Sequence, residues 1–101
     1  MKSLANITNQ MTIIINNAEF AALDRVESDN DEAMLQQMSE RMSGYVLEQR
    51  PRPQDHVAIA LKMLSSGELE DFPGTMAFFH ILADKMAALV DDVRYGRITT
   101  N

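Results

Sequence analysis

His80 and Asp84 stand four residues apart, the spacing at which one helical turn brings a carboxylate beside an imidazole and can orient it as a general base or a metal ligand. The ordinary role of such a pair is a surface hydrogen bond. The sequence places no serine or cysteine nucleophile and no third ligand to complete a site. His56 follows Asp55 on a different segment and is read as a cap or core residue. The chain contains no cysteine, which removes disulfides, thiolate catalysis and cysteine-based zinc sites.

Calcium is the other chemistry to weigh, because carboxylates are dense from Asp24 to Glu32. Aligning Glu27, Asp29 and Asp31 with the first EF-hand ligand positions puts Glu32 where glycine is required and Met38 where the bidentate glutamate belongs. The loop fails that test at two positions. No metal, no cofactor and no catalytic residue is therefore expected.

Charge narrows the partners. Fifteen Asp and Glu against nine Lys and Arg give a net charge of -6 in 101 residues, a surface that disfavours direct nucleic-acid binding and accommodates another protein with a basic surface. Further carboxylates sit at Glu68, Glu70 and Asp71 and at Asp91 and Asp92; converging in space, they would imitate a phosphate array. Arg50 and Arg52 alternate with Pro51 and Pro53, a stiff connector lacking the interleaved aromatics of a nucleic-acid platform. Polar residues interrupt the N-terminus and no apolar run approaches the length of a membrane span, so a cytoplasmic protein without membrane contact is expected. The sequon Asn6-Ile7-Thr8 is then read as chance.

Met34, Met38, Met42 and Tyr45 recur at helical spacing, and thioethers of this kind either fill an irregular core or form an adaptable docking groove. A second stripe, Ala77, Ile81, Asp84, Ala88 and Asp91, is less polar than a solvated helix face normally is. These nine residues are the candidate partner-binding set. Leu47, Ile59 and Phe78 lie off the main stripes, and a homodimer or partner would bury the surplus.

The elements that position these residues are helices. A length of 101 residues and an apolar fraction of 46% suit a single small domain spanning residues 1–101 with a real core. Leu4, Ile7, Met11, Ile14, Ala18 and Ala22 fit a helical stripe, yet the run Met11 to Ile15 is also β-prone; as a strand it would pair with Arg97 to Thr100 or across a dimer. Asn17 is placed to cap a helix from Ala18 to about Val26. A third segment runs helically from about Glu32 to Gln49, with Gly44 weakening its end. A short helix follows Pro53 and ends at Gly67. Phe72-Pro73-Gly74-Thr75 suits a type II turn with Thr75 capping a final helix from Met76 to Tyr95, stopped at Gly96.

The expected fold is thus mainly α, a compact bundle of three to four helices, with or without a short N-terminal strand. The expected function is a non-catalytic protein–protein interaction module, a small acidic regulator, adaptor or inhibitor, homodimeric, in the style of bacterial or phage accessory proteins. The alternative is an inhibitor of a nucleic-acid-processing or host-defence enzyme acting through a DNA-mimicking acidic surface. A small enzyme using His80 and Asp84 comes third.

Overall fold

A computed structural model describes residues 3–49 and 52–98. It contains helices α1 (Ser3–Ala22), α2 (Asp29–Gly44), α3 (Pro53–Ser65) and α4 (Pro73–Arg94). A 3₁₀ turn, Leu23–Arg25, follows α1, and a π-helical turn, Tyr45–Gln49, extends α2. Among the described residues there is no strand. Arg50, Pro51, Thr99 and Thr100, named above, lie outside the description, as does the side chain of Leu4.

The β-prone run is helical. Ile7, Met11, Ile15, Ala18 and Ala22 repeat at four, four, three and four, and all five are buried. Helical winding spreads the isoleucines around the cylinder, so that Ile15 is buried, Ile14 packs beside the core and Ile13 faces water. The propensity penalty of a β-branched residue in a helix is below about 0.7 kcal/mol, whereas full burial of a side chain of this size contributes roughly 1.5–3 kcal/mol. Packing decides the conformation. The Thr12 hydroxyl donates to the Thr8 carbonyl at 3.0 Å, which satisfies that polar group without leaving the helix. Asn17 caps nothing: it is an exposed mid-helix residue, and α1 continues past it to Ala22.

Helix α2 begins at Asp29, three residues before the expected Glu32, because Ser28 caps it: the Asp31 N–H donates to Ser28 Oγ at 3.0 Å. Asp29, Asp31 and Glu32 place negative charge in its first turn. Helix α3 opens on Pro53, with the Arg52 N–H donating to Asp55 Oδ2 at 3.0 Å, half of a reciprocal capping arrangement. Gly67 and Gly96 both adopt positive φ, 80° and 77°, just beyond the ends of α3 and α4, as expected of left-handed stops.

Helix α4 packs against each of the other three, so the core forms around its buried residues Phe78, Phe79, Leu82, Met86 and Leu89. Phe78 and Phe79 meet edge to face, with ring centroids 5.1 Å apart. The start of α4 departs from expectation. Phe72-Pro73-Gly74-Thr75 is not a type II turn: Pro73 occupies the first helical position, Gly74 and Thr75 follow in the first turn, and Thr75 is buried. Its cap comes from elsewhere in the chain.

Candidate functional site

That cap is Asp31. From the first turn of α2 its carboxylate reaches the N-terminus of α4, where Oδ2 accepts from the Gly74 N–H at 2.7 Å and Oδ1 from the Thr75 N–H at 3.0 Å. The Thr75 hydroxyl lies 2.9 Å from Oδ1 and 3.2 Å from the Asp31 carbonyl, and donates toward both. Burial alone would raise this carboxyl, but the Gly74 and Thr75 N–H groups and the Thr75 hydroxyl outweigh it and hold the acid below its ordinary value. Gly74 is required by the same contact. A Cβ there would lie 2.5 Å from Val26 Cγ2 and 3.0 Å from both Val26 Cα and Asp31 Oδ2. The junction is fully satisfied internally and offers no open coordination position, so it is structural.

The buried histidine plays a similar part. His56 Nε2–H donates to the Met42 carbonyl at 3.1 Å, joining the start of α3 to the place where α2 widens into its π-helical turn. Met42 O also accepts from the Tyr45 N–H. Nδ1 is buried without a hydrogen-bond partner. Burial drives the imidazole below its ordinary value of 6.5, against the opposing pulls of the Met42 carbonyl and Asp55. His56 is therefore a neutral pin in the core.

His80 and Asp84 are both exposed on α4. They line an open groove between α3 and α4 together with Val57, Leu61 and Leu64 from α3 and Ile81, Ala83 and Ala87 from α4. Lys62 stands among its polar residues. Leu61 is 55% exposed despite its size. Among the described residues no three His, Asp or Glu side chains come together as metal ligands would.

The candidate partner-binding residues fall into two groups. Met38 and Met42 are buried, and Met34 and Tyr45 pack beside the same core, half-covered. The methionine stripe is thus a wall of the monomer core and leaves little surface to a partner. On the second stripe, Ala77 and Ile81 are half-buried, whereas Asp84, Ala88 and Asp91 are exposed. Ile81 and Asp84 belong to the groove. Val57, Leu61 and Leu64 repeat at four and three, the period of a core stripe, and it is the incomplete cover over them that makes the groove.

Among the described residues, the ion pairs of Arg52 with Asp55 at 3.6 Å and of Arg97 with Asp92 at 2.8 Å are exposed and modest. No helix of the described residues is long and apolar enough to cross a membrane. A scan against protein-family models, a search of curated proteins and a search of solved structures each return no match.

Proposed function

We propose that this chain is a non-catalytic, cytoplasmic protein–protein interaction module, a small acidic regulator, adaptor or inhibitor, whose partner protein seats an apolar segment between α3 and α4. One observation carries the reading: the groove is lined by the exposed Leu61 with Ile81 and Ala87, and by the exposed polar residues Lys62, His80 and Asp84. An apolar floor with a polar rim is the usual anatomy of a specific contact. His80 and Asp84 act here as rim groups that fix the orientation of the incoming segment.

Affinity capture from the native host, read by mass spectrometry, tests this directly. The wild-type chain is expected to recover a partner that Leu61→Glu loses, with the helical circular dichroism of the two proteins the same. Equal recovery by both would remove the groove from consideration. Salt separates the acidic-surface alternative, since a contact made by dispersed carboxylates weakens sharply from low to moderate salt while an apolar one persists.

A further inference from the structure

Helix α1, together with Leu23 of the 3₁₀ turn that follows it, carries a second unpartnered face, opposite the one that builds the core. Asn9, Ile13, Asn16, Phe20 and Leu23 are all exposed, and they recur at four, three, four and three, the spacing of a heptad seam. Phe20 is 78% exposed and Ile13 50%, so the apolar members of the seam are not leftovers of internal packing. The buried stripe, Met11, Ile15, Ala18 and Ala22, lies half a turn away, so whatever covers the seam meets no other part of the molecule.

We propose that the seam is covered by the same seam of a second copy of this chain, the two α1 helices lying parallel about a twofold axis. Charge selects the occupant. No Asp, Glu, Lys or Arg occurs from Ser3 to Ala18, in a chain of net charge -6, and the one charged residue further along α1, Glu19, accepts from the Ser39 hydroxyl of α2 at 2.7 Å. Two copies therefore approach through α1 without the like-charge repulsion their other faces would impose, whereas a basic partner finds nothing there to pair with. The amides select the direction. In a parallel pair each position meets itself, so Asn9 faces Asn9 and Asn16 faces Asn16, and an amide, being both donor and acceptor, is its own complement. An antiparallel pair would set these amides against Ile13 and Phe20. Asparagine at a seam position is a known device for fixing register at some cost in stability. A seam of about two heptads makes a small interface, so association is weak and concentration-dependent. The inference uses no groove residue and stands apart from the function proposed above.

Sedimentation equilibrium up to about 1 mM, the weak end of specific association, provides the test. The wild-type chain is expected to move from 11.4 kDa toward twice that mass as concentration rises. Phe20→Glu is expected to remain at the monomer mass with unchanged helicity, because the side chain it alters is exposed. Because the chain has no cysteine, single-cysteine variants report the geometry independently. Asn16→Cys and Phe20→Cys should each form a disulfide-linked dimer in air-saturated buffer, far faster than Glu40→Cys on the exposed side of α2. Three results would overturn the proposal: a monomer throughout, a dimer indifferent to Phe20→Glu, or cross-linking no faster at the seam than at residue 40. Binding of the monomer to neutral phospholipid vesicles, lost in Phe20→Glu, would assign the face to a membrane surface instead.

Discussion

Among the described residues, Asp31 and His56 are the buried ionisable side chains, and they respond to acid in separate ranges. The folded chain disfavours protonated His56, so below 6.5 the unfolded chain binds the extra proton more readily. The stability tied to neutral His56 is complete above that value and is lost as the pH falls below it. Urea midpoints measured on either side of 6.5 are expected to decline on the acid side, and His56→Gln, which keeps a donor for the Met42 carbonyl but does not titrate there, should flatten that decline. Asp31 acts lower. Its stabilisation is present above 3.8 and disappears as the pH falls through its depressed folded value. Asp31→Ala leaves two helix N–H groups without their acceptor and the Thr75 hydroxyl with only the residue 31 carbonyl, and should cost about 3 kcal/mol in urea unfolding. Thr75→Val removes only one donor and should cost about 1 kcal/mol.

At the scale of the element, α2, α3 and α4 were legible because each carries an apolar stripe at helical period, and the ends of α3 and α4 because Gly67 and Gly96 mark them locally, whereas the pattern of α1 suited helix and strand alike. The misreadings share a cause. The β-branched run of α1 and the start of α4 are both decided by contacts distant in sequence, packing on α4 in the first case and the Asp31 carboxylate in the second. Thr75 looked like a cap because threonine before an apolar run ordinarily is one; here its hydroxyl serves a residue 44 positions away. The glycines make the contrast measurable. Gly74→Ala drives a Cβ into Val26 and Asp31 and should destabilise by about 2 kcal/mol. Adding Val26→Ala should recover only part of this, because Val26 Cα remains 3.0 Å away. Gly44→Ala meets nothing closer than Glu48 Oε2 at 3.9 Å and should instead stabilise by about 0.5–1 kcal/mol, as a difference in melting temperature of opposite sign would report.

The whole molecule measures 43 by 22 by 21 Å, an elongated shape for a four-helix chain, and elongation leaves long helix faces uncovered. Apolar supply in excess of one core was readable from the sequence, but its location was not. The methionine stripe turned inward, while Leu61 and Ile13, in runs whose apolar pattern pointed to the core, turned outward with Phe20, which the pattern left unassigned. Periodicity identifies a buried face; it does not count how many neighbours are available to cover the flanks. With α4 at the centre and only three helices around it, some flanks stay bare.

The link between Asp31 and Gly74 also orders events during synthesis. The acid leaves the ribosome 43 residues before the N–H groups it will cap, an interval of roughly 2–9 s at ordinary elongation rates, whereas a helix of this length relaxes in about a microsecond. For all of that interval α1, α2 and α3 lack the helix against which they bury their stripes. The carboxylate waits at the start of α2, where water and the helix dipole both favour it, and α4 then emerges beside a cap already in place. Helix α4 thus closes the structure, and a stop anywhere before residue 73 releases α1, α2 and α3 without the helix on which each of them packs.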